Sequence, residues 1–138
     1  MRRNNFVVFV GSSLFLIASA ASAEQYLSEI VSKAPHKKAY AEMLVFPDWV
    51  SKAQGTATPV EIVSADGKDF TVGHMCKPQD CADNQLSVVF SDDGKKAWGL
   101  LATLSTDGTT FNKQFLGNPD SVVERLLNES FSANNPED

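Results

Sequence analysis

The chain has 138 residues, 12 of them Lys or Arg against 17 Asp or Glu, for a formal charge of −5 with histidines neutral. An acidic balance of this kind excludes a nucleic-acid partner, whose phosphates demand Lys and Arg. It favours a cationic partner, although the same charge also serves solubility alone.

The first stretch reads as an export signal. Arg2 and Arg3 form a positive start, Phe6 to Ala18 is apolar with a break at Gly11, Ser12 and Ser13, and Ala21-Ser22-Ala23 fits the small-x-small cleavage rule. The apolar run is too short to span a bilayer comfortably, because a transmembrane helix needs about 20 residues. The expectation is cleavage of residues 1–23, with no membrane attachment of the product and release into the periplasm. That compartment is oxidising, so a cysteine pair stays bridged there. Cleavage removes two arginines and no acidic residue, leaving 115 residues at a charge of −7. That is one domain, residues 24–138, large enough to bury a core.

Tyr26, Leu27, Ile30 and Val31 fall at helical spacing, so one or two helical turns are expected between Glu24 and Ala34. Pro35 suits the first position of a second helix, with Ala39, Tyr40, Met43 and Leu44 as its apolar stripe and His36 near a solvated start. Phe46-Pro47-Asp48-Trp49-Val50 ends that helix, with Trp49 packing back on the core. Ser51 to Pro59 reads as a polar connector.

The period then changes to two. Val60–Val63 is a short strand, and Asp66-Gly67 is a hairpin signal. Phe70, Val72 and His74 share one face of the next strand, which runs into Cys76. Gln85–Ser91 returns with Leu86, Val88 and Phe90 on one face. Trp98, Leu100, Ala102 and Leu104 alternate through a fourth strand, and Thr109–Leu116 makes a fifth. Asn118-Pro119 reads as a cap and first-turn proline, and Asp120 suits a positive helix start. Val122, Val123, Leu126, Leu127 and Phe131 form the apolar face, followed by a frayed polar tail from Ser132. The reading is α+β: about five antiparallel strands in a meander, flanked by N- and C-terminal helices.

No nucleophile is paired with a base, so an enzyme is not expected. Neither is a cofactor or a metal: His36 and His74 are too few ligands, and His74 reads as a core or loop-supporting residue. Asp92-Asp93 sits in a turn signal and reads as solvated. The two cysteines, Cys76 and Cys81, have four residues between them, not the two of a thiol-redox motif, so a structural bridge outweighs a redox role. A bridge here closes a small ring, with an entropic stabilisation of about 2 kcal/mol. Pro78 stiffens it further. Lys77, Gln79 and Asp80 place a cation, an amide and an anion on this rigid bulge, which suits insertion into another molecule's cleft because little ordering entropy remains to be lost.

The ring Cys76-Lys77-Pro78-Gln79-Asp80-Cys81 resembles the signature of the periplasmic inhibitors of vertebrate lysozyme found in Gram-negative bacteria. Leu44-Val45-Phe46-Pro47-Asp48-Trp49-Val50 is similar to that family's Leu-Pro-x-Trp-Val segment, and the order of helix, sheet, ring, sheet and helix agrees over most of the mature chain. The resemblance implies a bridged loop that plugs the active-site cleft of a C-type lysozyme, with Lys77, Pro78, Gln79 and Asp80 inserted against its two catalytic carboxylates. It also implies a histidine between the proline and aspartate of the ring, where this chain has Gln79. An amide donates hydrogen bonds without becoming a cation, so weaker inhibition or a shifted target is expected. An endogenous lytic transglycosylase, which also carries an acid in a sugar cleft, is the alternative partner. Edge strands of a small domain also invite a homodimer.

Overall fold

A computed structural model of the chain describes residues 23–43 and 47–136. The leader expected at 1–23 lies almost wholly outside these residues, as do Leu44, Val45 and Phe46 of the tryptophan segment. Among the described residues, no helix is long and apolar enough to cross a membrane.

The order is α1 (Leu27–Ile30), α2 (His36–Met43), α3 (Asp48–Ser51), β1 (Thr56–Ala57), β2 (Glu61–Ala65), β3 (Lys68–Cys76), β4 (Asn84–Ser91), β5 (Ala97–Leu104), β6 (Phe111–Leu116) and α4 (Ser121–Ala133). All strand pairs are antiparallel, and β3, β4, β5 and β6 are consecutive neighbours. The α+β class and the meander are therefore as the sequence indicates. The Asp66-Gly67 hairpin also forms: Ala65 pairs with Lys68, and both turn residues have positive φ, 50° and 73°, as a type I′ turn requires.

The sheet is covered on both faces. Leu86, Val88, Phe90, Ala97, Leu101 and Met75 bury against α1, α2 and α3, while Phe70, Val89, Leu100 and Ala102 bury against Val123, Leu126, Leu127 and Phe131 of α4. Strand β4 is accordingly buried on both sides, which is why Val88-Val89-Phe90 is continuously apolar.

Five local expectations are corrected. The connector after residue 51 contains β1, which adds a sixth strand: Thr56 pairs with Cys76 and Ala57 with Met75. Gly55 permits this approach, since a Cβ there would lie 2.8 Å from the Cys76 carbonyl oxygen. The segment expected to end the second helix instead makes the separate turn α3, with Trp49 and Val50 buried. His36 does start α2 but is half-buried there and not simply solvated; its ring stands edge-on to Phe90 at 4.9 Å between centroids. The last helix is capped by Asp120, whose carboxylate accepts from the Val122 and Val123 amides at 3.0 Å each, because Asp120 has the extended backbone a cap needs and Asn118 sits at φ 56°. The tail is not frayed at Ser132, which lies inside α4, and Asn135 exchanges two 2.8 Å amide hydrogen bonds with Gln85 of β4.

Candidate functional site

Strand β3 delivers the chain to Cys76, and β4 takes it back from Asn84, so the bridged ring caps the end of a hairpin in the middle of the sheet. Cys76 and Cys81 are bonded to one another. Inside the ring, the Asp80 amide donates to the Lys77 carbonyl at 3.0 Å, and Gln79 has φ 65°. A proline second and a left-handed residue third is the pattern of a type II turn. Gly or Asn normally holds that third position, so the closed ring keeps Gln79 in a conformation that a free chain would tend to leave.

The four candidate residues divide into two pairs. Pro78 and Gln79 are exposed at the tip, whereas Lys77 and Asp80 are half-buried at its base. The Asp80 carboxylate accepts from the Lys77 ammonium at 3.3 Å and from the Asn84 side-chain amide at 2.9 Å. Lys77 and Asp80 thus direct their charges toward each other, and Asp80 braces the ring against the start of β4. Asn84 was not evident from the sequence as a member of this group, since a lone polar residue at a strand start carries no signal of its partner. Replacing Asp80 with Ala removes both contacts from a partly solvated site. We expect about 1 kcal/mol lost from the loop's preferred shape and about fivefold weaker target binding, read by titration of the variant.

The base of the loop is held from both sides. The Lys77 amide donates to the Asn84 carbonyl at 2.9 Å, and the Leu104 amide donates to the Asp83 carbonyl at 2.7 Å. Two residues before the ring, His74 is 7% exposed, with Nδ1 3.2 Å from the hydroxyl of Ser87 on β4. It lies on the α4 face with Phe70 and Val72, in the supporting role the alternation indicates. Burial pushes its pKa down to about 4, so the ring is neutral near pH 7.

Residues 33–130 match the family described as inhibitor of vertebrate lysozyme (Ivy), which covers the last turns before α2, the whole sheet and most of α4. An uncharacterized protein of Yersinia pestis is 30% identical over 118 residues, covering 80% of this chain and 77% of that protein. A Pseudomonas aeruginosa protein named inhibitor of vertebrate lysozyme is 27% identical over 133 residues, covering 88% of this chain and 87% of that one. A protein of the same name from Escherichia coli is 31% identical over 94 residues, covering 64% of this chain and 59% of that one. The match spans the ring, the strands that carry it and the helices on both faces, and the chain belongs to the inhibitor of vertebrate lysozyme family.

Proposed function

We propose that this protein is not an enzyme but an enzyme inhibitor, which blocks a C-type lysozyme by inserting the tip of the Cys76–Cys81 loop into the sugar-binding cleft. The observation that carries the reading is the ring itself: a turn closed by a disulfide, braced by Asp80, with Pro78 and Gln79 exposed at its turn. A tip of this kind loses little conformational entropy on binding. Lysozyme catalysis uses two carboxyl groups in a cleft, and the Gln79 amide can donate to them while the loop excludes substrate. Membership in the family and the names of two relatives support the target class. In this reading, residues 1–23 are removed on export and the mature chain, residues 24–138, acts in the periplasm at a charge of −7, which steers it toward a cationic enzyme.

The test is to titrate the mature chain into a C-type lysozyme cell-wall lysis assay beside Gln79→His. Dose-dependent inhibition supports the reading. The histidine variant is expected to inhibit about tenfold more strongly, because a cationic donor gains about 1–2 kcal/mol over a neutral amide against a carboxylate. Equal inhibition by both would show that position 79 does not face the catalytic acids. Inhibition by the variant alone would place the natural target elsewhere, with lytic transglycosylases next to be assayed.

A further inference from the structure

Gln85 is a polar side chain in the interior, 5% exposed, and it lies directly across the β3–β4 ladder from Cys76. A buried amide needs a partner for each of its hydrogen-bonding groups. Asn135, one residue past the C-cap of α4, supplies them. Its side-chain oxygen accepts from Gln85 Nε2 at 2.8 Å, and its Nδ2 donates to Gln85 Oε1 at 2.8 Å, which closes a pair between residues 50 positions apart. Asn135 Nδ2 also donates to the Phe131 carbonyl at 2.8 Å, and the Asn135 backbone amide donates to the Ser132 carbonyl at 3.1 Å. The pair therefore hangs on the last turn of α4. That turn is itself fixed, because Phe131 is buried in the α4 core with its ring edge-on to Phe111 of β6.

The other side of the pair reaches the ring at both ends. Gln85 is the strand partner of Cys76, which opens the disulfide. Gln85 Nε2 also meets the carbonyl of Ala82, the residue after Cys81, at 3.5 Å. Asp80 braces the ring from within, whereas the amide pair braces it from the body of the domain. Loss of Asn135 would leave the Gln85 amide with that one long contact alone. A buried amide without partners is unfavourable, and the penalty is relieved when the start of β4 and Ala82 shift to admit water. The limb that returns from the ring would then no longer hold the tip in one shape.

We propose that Gln85 and Asn135 are positioning residues for the inhibitory loop, tying the disulfide ring to the end of α4. The proposal rests on the inhibitor reading above, and the experiment separates the two. Affinity for a C-type lysozyme, thermal midpoint and backbone amide exchange at Lys77, Asp80 and Asn84 are measured on mature chains. These three amides donate within the ring and across its base, so their exchange reports the state of the loop without a target. Asn135→Ala, and a chain ending at Asn134, should bind about fivefold more weakly and exchange those amides about fivefold faster. Gln85→Asn/Asn135→Gln swaps the two amides at the same combined length and should bring both readouts back to within about twofold. Asp120→Ala removes the cap at the far end of α4; it should lower the thermal midpoint and leave both loop readouts within about twofold. Thermal midpoints identify a swap that has lost its fold, in which case Asn135→Ala and the shortened chain decide. Natural affinity and natural exchange in Asn135→Ala would overturn the positioning role. Equal losses in Asp120→Ala would overturn it too, as general destabilisation. No inhibition by the natural chain would overturn the inhibitor reading, and the exchange rates would still decide whether the amide pair holds the ring.

Discussion

Replacing Cys76 and Cys81 together with Ser should weaken lysozyme inhibition about thirtyfold while leaving the domain folded. Neither cysteine belongs to the two buried clusters, which hold the helices to the sheet without them. The strands at the base of the ring also keep their own bonds: β1 pairs with Cys76 through the backbone, and Asn84 and Leu104 hold the returning chain. The ring itself changes. Closing so short a loop removes about 2 kcal/mol of chain entropy from the open form. Without the bridge, Gln79 is free to leave φ 65°, and the inserted shape must be reassembled on binding. A cost of about 2 kcal/mol corresponds to roughly thirtyfold in affinity. Inhibition titrations together with urea midpoints check this. A variant that inhibits as well as the natural chain would mean that Asp80 and the flanking backbone bonds suffice to fix the tip.

Acidification from pH 7 to pH 5 should reduce stability by about 2 kcal/mol through His74 alone. Its pKa falls from 6.5 to about 4 on folding because burial disfavours the cation. Between those values the unfolded chain binds the proton that the folded one refuses. Stability therefore declines as pH falls through this window, and the His74 contribution levels off below pH 4. Glu24, Glu61 and Glu129 line the same cavity as His74, from the N-terminal segment, β2 and α4. Urea midpoints measured from pH 7.5 to 4.5 should fall along a steeper curve for the natural chain than for His74→Gln. Parallel curves would show that the imidazole is not buried neutral in solution.

Several parts of this architecture were legible because they rest on local chemistry. Asp66-Gly67 accepts the positive φ of a two-residue hairpin, and the period-two runs at 70–74, 86–90 and 98–102 face the cores they indicate. The ring was visible because two cysteines separated by a proline-containing tetrapeptide admit few shapes. The cap at Asp120 was misplaced to Asn118 because both are cap-forming residue types, and only the backbone conformation separates them. β1 was missed because two residues carry no period, and its formation depends on Gly55, 21 residues before the end of its partner strand at Cys76. The edge-on packing of His36 on Phe90 likewise joins residues that no local pattern relates.

By itself the sequence determined the α+β class, the meander, the disulfide ring and the family resemblance, since each follows from short-range spacing or a contiguous motif. Only the tertiary structure decided how the ring is arranged. It turned Asp80 inward to Lys77 and Asn84, left Pro78 and Gln79 exposed at the turn, and put helices on both faces of the sheet. It also gathered Glu24, Glu61, His74 and Glu129 around one cavity. Those residues span more than 100 positions, and their meeting depends on strand register and on the docking of α4, which are set by burial of the two cores as a whole and not by any local run of side chains.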